Sequence, residues 1–417
     1  MQVAVLGAGI AGLAAAYLLQ EAGHEVTVVD RSGPAAGASG GNGGQLSYSY
    51  VQPLADPSIW GQLPKLLLSP SSPLKIRPQL DTGQWRWGAQ FLMACNAARS
   101  RTTTQRLLAL AAQSREVFER VRVREALQCD YAPTGKLVLY RAEEGFRAAR
   151  AQMALQRLLG GAEQHAVDAA EAARIEPALA QAAHGAAGAI YTPSECAADC
   201  RKTCEELARV LRARGVRFLL GRAVEALVTR GDRVVAARLA GGEALDADVF
   251  VLSLGAASAT LARPLGLRLP LYPLKGYSIT ADIAHDDAAP RVSITDAARK
   301  VVFARIGTQL RVAGMAELVG DDPSIPPQRI ASLRDATEAL FPGACDLREL
   351  RPWTGMRPAT PTGEPLVGAH PRGPANLLLN TGHGALGFTL AFGTASRLLA
   401  ALPAPPALRP APAARPA

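Results

Sequence analysis

Hydrophobic and polar positions at the start of the chain predict a strand, a helix and a second strand in close succession. The apolar run QVAVLG predicts a strand, AGLAAAYLLQEAG predicts a helix that ends at Gly23, and EVTVVD predicts the next strand. Residues 198–263 repeat this order, with a helix, the strand VRFLL, a hairpin that turns at Gly231 and Asp232, and the apolar strand ADVFVLSLGAAS. Both units are typical of a parallel α/β sheet.

Other parts of the chain follow different patterns. Residues 268–318 alternate apolar and polar positions in KGYSITADI, KVVFARI and QLRVAGMAEL, which predicts an antiparallel sheet with one covered face. Residues 100–127 and 143–160 predict helices, with the strand GKLVLY between them. The Pro/Ala-rich end, residues 401–417, predicts a disordered tail.

Length and charge narrow the class of protein. A chain of 417 residues exceeds the size at which one core usually divides, so we expect two domains. The formal charge of +9 comes largely from arginines scattered along helices such as SREVFERVRVREAL, and no basic run is interleaved with aromatic residues. We therefore expect no nucleic-acid partner. The chain enters an apolar strand without a signal peptide and has no apolar run of about 20 residues, which predicts a cytoplasmic protein.

The strongest local motif is VAVLGAGIAG. Gly7, Gly9 and Gly12 have the spacing G-x-G-x-x-G between a strand and a helix, and Asp30 ends the following strand. Such glycines allow a tight turn, a close approach of the backbone to a pyrophosphate and close helix packing, while the acid is placed for a ribose hydroxyl. The motif predicts dinucleotide binding; a glycine turn that only packs is the alternative.

Further glycine-rich segments favour FAD over NAD. SGGNGGQLS, SLGAAS and LNTGHGALGFTLAFG together supply enough exposed backbone for a long cofactor that lies across the fold. In this interpretation Gly382, Gly384 and Gly387 approach the far end of the cofactor. A helix that starts near Thr389 directs its positive dipole end there, where it would stabilise negative charge on a reduced flavin.

Six segments of the chain together form a recognisable set: VAVLGAGIAG, NGGQLS, LYPLKGYSIT, RVAGMAELVG, WTGMRPATPTGEPLVG and LNTGHGALGFTLAFG. With these segments the chain resembles the FAD-dependent D-amino-acid oxidase superfamily, and within it the small-subunit type of bacterial D-amino-acid dehydrogenase. The resemblance spans about residues 1–400, although SGGNGGQLSYSY is richer in glycine and tyrosine than the corresponding family loop.

The expected architecture is an α/β fold with a discontinuous, Rossmann-like FAD-binding domain and an inserted α+β substrate domain on an antiparallel or mixed sheet. The FAD-binding domain is predicted from residues 1–85, 160–263 and 346–400. The substrate domain is predicted from residues 86–159 and 264–345.

Arg357 is the principal candidate for substrate binding. It stands between Gly355 and Pro358, and its planar guanidinium suits a carboxylate, a role that the resemblance implies; an ion pair between the domains is the alternative. Tyr277 is a candidate for a second contact with the substrate carboxylate; the alternative is an aromatic residue that only packs in the sheet. Lys275 is a weaker candidate for the same contact; the alternative is a lysine on the protein surface.

Candidates also surround the predicted flavin. His383 could touch the flavin or substrate or could bond the backbone, while Tyr48 and Tyr50 could line the pocket or pack at a domain interface. Further cofactor contacts are expected at the positions Arg31, Ser39, Asn42, Gln45, Val224 and Gly255.

The resemblance implies that a hydride leaves the α-carbon of a D-amino acid for flavin N5, that the imino acid hydrolyses to a 2-oxo acid and ammonia, and that a quinone or another non-oxygen acceptor takes the electrons. Residues 58–78 contain a tryptophan, leucines and lysines, and they predict a peripheral contact with the cytoplasmic face of the inner membrane. The alternative is that they form an ordinary loop.

Three alternatives for the function remain open. The chain could be a flavin oxidase or dehydrogenase of glycine, sarcosine, proline or L-amino acids, a NAD-linked dehydrogenase, or a non-catalytic nucleotide-binding or nucleic-acid-binding protein. Cys196, Cys200 and Cys204 would align on one helix face, but they lack the spacing of a metal site, so we expect packing cysteines and no metal.

Overall fold

The computed structural model describes residues 1–61 and 74–403. Its first layer is a six-stranded sheet in which the first strand of the chain lies near the centre, and every neighbouring pair of strands is parallel except one pair at an edge. In the order found across this sheet, the strands are β19 (Leu366–Ala369), β20 (Leu377–Thr381), β13 (Val249–Leu252), β1 (Gln2–Leu6), β2 (Glu25–Asp30) and β9 (Arg217–Leu220).

Helices cover one face of this sheet, and a small antiparallel sheet covers the other. The helical layer is α1 (Ile10–Glu21), α3 (Ala97–Arg124), α6 (Cys200–Ala213) and α9 (Gly387–Ala400). The opposite layer is β10 (Val224–Arg230), β11 (Arg233–Leu239) and β12 (Ala244–Asp246). Helix α1 is buried along most of its length because its small and apolar residues face the sheet and two helices at once.

The second large layer is a nine-stranded mixed sheet. Along its path the strands run β18 (Arg351–Ala359), β14 (Tyr272–Asp282), β17 (Gln309–Leu318), β16 (Val301–Ile306), β15 (Ser293–Asp296), β5 (Lys136–Tyr140), β7 (Gly188–Thr192) and β6 (His165–Val167), and β4 (Leu74–Ile76) pairs with β17. A two-stranded ribbon joins β3 (Gln45–Leu46) to β8 (Cys196–Ala197). The remaining helices are α2 (Thr82–Ala94), α4 (Glu143–Leu158), α5 (Ala169–Ile175), α7 (Ser258–Ala262) and α8 (Pro327–Leu340).

The segments that build each layer differ from the predicted bounds. Strands β4, β6, β7 and β18 belong to the nine-stranded sheet, although the sequence pattern placed them in the FAD-binding domain. Helix α3 lies in the core of the six-stranded sheet, although it was predicted in the substrate domain. The reason is that pairing partners far along the chain decide which sheet a strand joins. Of the predicted disordered tail, residues 404–417 lie outside the described residues.

Candidate active site

The loops that follow β1, β2, β13 and β20 meet at the carboxyl edge of the six-stranded sheet. Ligands of open α/β sheets bind at this edge. Helix α1 begins after the loop that follows β1, and α9 begins after the loop that follows β20. In neither helix does the side chain of the N-cap residue itself bond the first turn, and neither first turn contains an acidic residue. Two positively polarised helix ends are therefore directed toward the same edge, as an anionic cofactor requires.

The three motif glycines have separate structural roles. Gly7 has φ +114°, and a β-carbon there would lie 2.4 Å from the carbonyl oxygen of Ser253. A β-carbon on Gly12 would lie 1.9 Å from the carbonyl oxygen of Gly7. Both positions are thus closed by packing between strands and helix. At Gly9 the nearest atom is Oγ of Ser39 at 3.3 Å, so this glycine leaves room for the approach of a phosphate.

Asp30 holds the turn beside this loop. Its carboxylate accepts the backbone N–H groups of Ala8 at 2.9 Å, Ser32 at 2.8 Å and Gly33 at 3.0 Å. Arg31, the next residue, is exposed. Asp30 thus orders the loop that leads to Gly9, and its contact with a ribose hydroxyl stays a prediction.

The second glycine-rich segment, residues 39–45, contacts the nine-stranded sheet. A β-carbon on Gly41 would lie 2.0 Å from the ring of Trp353, and one on Gly44 would lie 2.6 Å from Ile306. These glycines therefore serve the contact between the two sheets. Ser39, at the start of the segment, lies beside the first glycine loop, where its hydroxyl accepts the backbone N–H of Ile10 at the start of α1. Its contact with the cofactor stays a prediction.

Two residues of this segment that are predicted cofactor contacts, Gln45 and Asn42, have side chains bonded within the protein. The side chain of Gln45 donates to the carbonyls of Ile294 and Phe303 in the nine-stranded sheet. The side chain of Asn42 accepts the backbone N–H of Gly44. Both side chains thus bond within the protein because the sheet covers the segment.

The turn before α9 is held by buried hydrogen bonds. Nε2 of His383 lies 2.9 Å from Oγ1 of Thr394, and burial lowers the pKa of His383 to about 4, so the imidazole is neutral near pH 7. The partner of His383 is thus a side-chain hydroxyl and not the backbone group that the sequence suggested, and its contact with the flavin or substrate stays a prediction. Oγ1 of Thr389 accepts the backbone N–H of Ser47 at 3.3 Å.

The remaining predicted cofactor positions lie around the same sheet edge. Gly382 and Gly384 have φ +84° and +55°, and Gly387 is the first residue of α9. Gly255 has φ +59°, and its carbonyl accepts the hydroxyl of Thr381 at 3.0 Å. Val224 begins β10, and its side chain packs on the core behind the six-stranded sheet.

Arg357 lies on the face of β18 that is directed toward the FAD-binding domain. Strand β18 contacts the short turns Gly255–Ala257 and Gly384–Leu386 at the carboxyl edge of the six-stranded sheet. Nη1 of Arg357 donates to the carbonyl oxygen of Met315 at 2.8 Å, and burial lowers the pKa of Arg357 to about 10. In the described part of the chain no carboxylate lies within ion-pair distance of it, so the predicted alternative of an interdomain ion pair is not found.

Tyr277 lies on the opposite face of the same sheet from Arg357. Its hydroxyl donates to Oε2 of Glu317 at 2.7 Å inside the core, so the predicted direct contact with a substrate carboxylate is wrong. Lys275 shares that face and is only 1% exposed, with Nζ 3.5 Å from Oδ2 of Asp322, so it is buried rather than on the surface. Side chains alternate between the faces of a strand, and this parity separates Tyr277 from the site.

A buried lysine beside Tyr50 was not identified from the sequence. Nζ of Lys136, a residue 3% exposed, donates to Oγ of Ser47 at 2.8 Å and lies 4.3 Å from the ring centre of Tyr50. Burial lowers the pKa of Lys136 to about 8, although Glu195 opposes this shift. Tyr50 itself is 40% exposed, whereas Tyr48 is buried. A lysine at the start of an apolar strand gives no local signal of such burial.

The carboxylate of Glu195 fixes the segment that precedes Tyr50. It accepts the backbone N–H groups of Tyr48 at 2.6 Å and Ser49 at 2.7 Å, and burial raises its pKa. The amide of Gln156 donates to the carbonyl of Ser49 at 2.9 Å. Tyr50 is therefore presented by a segment that buried polar groups hold at several points.

The cysteines are free and buried. Cys196 lies in β8, and α6 begins at Cys200, so only Cys200 and Cys204 of the predicted set share a helix. Within residues 1–61 and 74–403, no cluster of His, Cys, Asp or Glu is arranged to hold a metal ion. The same residues include no helix that is long and apolar enough to cross a membrane.

Comparison with known proteins agrees with this geometry. Residues 2–402 match a family model described as FAD dependent oxidoreductase. The chain is 49% identical over 411 residues to D-amino acid dehydrogenase 2 of Ralstonia nicotianae, covering 95% of each protein. It is 46% identical over 402 residues to D-amino acid dehydrogenase 2 of Pseudomonas aeruginosa, covering 96% of this chain and 94% of that protein.

Solved structures share the fold at low identity. Glycine oxidase from Geobacillus kaustophilus superposes with a TM-score of 0.74 at 21% identity, covering 96% of this chain and 93% of the other. L-proline dehydrogenase from P. horikoshii has a TM-score of 0.74 at 14% identity, covering 95% and 91%. The glycine-lined sheet edge, the two helix N-termini and the family match agree, and the chain therefore belongs to the FAD-dependent oxidoreductase family, with FAD as its cofactor.

Proposed function

We propose that this chain catalyses the FAD-dependent oxidative deamination of D-amino acids to 2-oxo acids and ammonia. The observation that carries the proposal is the guanidinium of Arg357, a half-buried residue that bonds one backbone carbonyl and has no carboxylate partner among the described residues. Such a group favours an anionic ligand, and the planar fork suits the α-carboxylate of an amino acid. The relatives that are 49% and 46% identical are named D-amino acid dehydrogenases.

FAD, when bound, accepts two electrons and the α-hydrogen from the amino acid. Gly9, Ser39 and Asp30 would hold its pyrophosphate and ribose, and the N-terminus of α9 would face its ring. Arg357 binds the carboxylate and so orients the α-carbon. The imino acid that forms then takes up water and releases ammonia, which gives the 2-oxo acid.

The proposal includes an electron acceptor other than oxygen, such as a quinone. The names of the two relatives, which are both dehydrogenases, support this part of the proposal. The test is to reduce the flavin anaerobically with D-alanine and to compare its reoxidation by a water-soluble ubiquinone with reoxidation by air. Faster reoxidation by the quinone is expected, and efficient production of hydrogen peroxide in air would reject this part of the proposal.

Peripheral membrane contact near residues 58–78 is a further part of the proposal, although residues 62–73 lie outside the described residues. Large apolar side chains are exposed on both sides of that range, with Trp60 at 50%, Leu80 fully exposed and Trp85 at 61%. Exposed tryptophans are typical of membrane interfaces. Trp85→Ser should reduce flotation with vesicles of phosphatidylcholine and phosphatidylglycerol, and equal flotation of the wild type and the variant would reject the contact.

The decisive experiment for the reaction is anaerobic bleaching of the flavin band. D-alanine, L-alanine, D-proline and sarcosine are added separately to the purified protein, and the products are identified. Rapid bleaching by the D-amino acids alone, with formation of the 2-oxo acid, is expected. Bleaching by L-alanine or sarcosine alone would support a flavoenzyme of the same fold, but it would reject D-amino acids as the substrate.

Arg357→Lys tests the anchor in the same assay. Because lysine keeps the charge but loses the planar fork, KM for D-alanine should rise by about a hundredfold. The visible spectrum reports whether FAD is still bound. An unchanged KM in a variant that retains FAD would reject Arg357 as the carboxylate anchor.

A further inference from the structure

A β-bulge in β17 forms the seat of Arg357. Tyr277 of β14 pairs with Gly314 and Lys275 pairs with Glu317, so the single residue between them on β14, Gly276, faces two residues on β17. The first of these two residues, Met315, has φ +61°, a backbone conformation that residues other than glycine seldom adopt. Its carbonyl oxygen accepts Nη1 of Arg357 at 2.8 Å.

The bulge and Gly276 act on the same guanidinium. A β-carbon on Gly276 would lie 2.2 to 2.3 Å from the guanidinium atoms of Arg357. Arg357 therefore reaches from β18 across the bare backbone of Gly276 to the carbonyl that the bulge presents on β17. A glycine inside a strand often marks such a close approach.

The bulge is braced from the opposite face of the sheet. The hydroxyl of Tyr277 donates to Oε2 of Glu317 at 2.7 Å. Tyr277 lies on β14 at the pair before the bulge, and Glu317 lies on β17 just after the bulge, so this hydrogen bond spans the bulge. Glu317 also forms an ion pair with Arg329 of α8, and both side chains are nearly buried. Burial and the hydrogen bond to Glu317 raise the pKa of Tyr277, so its hydroxyl stays protonated and donates.

We infer that Tyr277 and Glu317 are positioning residues that hold the Met315 bulge, and through its carbonyl the guanidinium of Arg357, in the pose that binds the substrate carboxylate. This inference rests on the proposed function of Arg357. Neither side chain touches the substrate, because both lie on the far face of the sheet. Their effect should therefore appear in carboxylate binding and leave the chemical step nearly unchanged.

The test compares Tyr277→Phe with the wild type in two assays. We expect KM for D-alanine to rise about five- to tenfold while kcat changes by less than about twofold, as the loss of one positioning hydrogen bond predicts. The dissociation constant of benzoate, a carboxylate probe titrated against the flavin absorbance, should rise by the same factor. Tyr191→Phe removes a tyrosine hydroxyl from β7 of the same sheet and should match the wild type.

Variants of Met315 test the bulge directly, even if Tyr277→Phe binds FAD poorly. Met315 packs in the core, so Met315→Gly loses more buried surface than Met315→Val. Glycine adopts a positive φ readily, whereas a β-branched residue does not. If the conformation of the bulge sets the pose of Arg357, the valine variant has the higher KM and the weaker benzoate binding; if packing alone matters, the order is reversed and the inference is overturned.

Failure of this inference differs from failure of the proposed function. If Arg357→Lys weakens binding of D-alanine and benzoate while FAD-loaded Tyr277→Phe binds both as the wild type does, the brace is rejected and the anchor stands. If Arg357→Lys changes neither constant, both the anchor and the brace are rejected.

Discussion

The guanidinium of Arg357 lies against the backbone of Gly276, where a β-carbon would stand 2.2 Å from Nη1. Gly276→Ala must therefore displace the guanidinium, because the neighbouring strands leave the backbone of β14 little freedom. We expect kcat/KM for D-alanine to fall by about a hundredfold, as a displaced anchor predicts. The visible spectrum should still show bound FAD.

Gly88→Ala is the matched control for this substitution. Gly88 lies in α2, and a β-carbon there would have no heavy atom within 4 Å beyond the adjacent backbone of its own helix. This variant should keep the kcat/KM of the wild type. If Gly276→Ala retained that value as well, the close packing of Arg357 on Gly276 would not matter for catalysis.

The ring of Trp353 lies against Gly41, and this contact should stabilise the interface between the two sheets. A β-carbon on Gly41 would lie 2.0 Å from the ring, so Gly41→Ala should lower the free energy of unfolding by about 1 to 3 kcal/mol through overpacking. Urea unfolding measures the change. Gly37→Ala, in the same loop with no neighbour within 4 Å, should change stability little.

A double substitution separates overpacking from a general effect on the loop. Adding Trp353→Ala removes the ring that the new β-carbon would meet. The loss of unfolding free energy in the double variant should therefore be smaller than the sum of the losses in the two single variants. Strict additivity would show that Gly41 is required for another reason.

His383 should make the fold sensitive to acid. Its pKa is about 4 in the folded protein against 6.5 ordinarily, so between these values the unfolded chain binds a proton that the folded chain does not. The contribution of His383 to the free energy of unfolding is therefore fully present above pH 6.5. It is lost as the pH drops toward 4, by up to about 3 kcal/mol. His383→Gln should lose less stability over this interval in urea unfolding, and an identical pH dependence would contradict the assignment.

Lys136 should make the free energy of unfolding depend on pH in the alkaline range. Burial lowers its pKa from 10.5 to about 8, so between these values the unfolded chain is again the form that binds more protons. The wild type should gain up to about 3 kcal/mol relative to Lys136→Met as the pH rises through this interval, with a flat difference below pH 8. Parallel curves for the two proteins would show that the ammonium is not desolvated.

Much of the nucleotide-binding half was predictable from the sequence. The first strand, α1 and β2 are neighbours along the chain, so periodicity and the spacing of Gly7, Gly9 and Gly12 suffice to predict them. Arg357 could be singled out because a guanidinium between a glycine and a proline is a local feature. The resemblance added the family, which the comparison confirmed.

Local sequence pattern is sufficient to predict the βαβ unit, the glycine-rich turns and the chemical types of the candidate groups, because these depend on residues close together in the chain. Three other features could be seen only in the folded chain: Tyr277 faces Glu317 instead of the substrate side, Lys136 is buried beside Tyr50, and β18 joins the nine-stranded sheet. The physical reason is that strand register and pairing between distant segments fix which face each side chain occupies, and a shift of one residue reverses that choice.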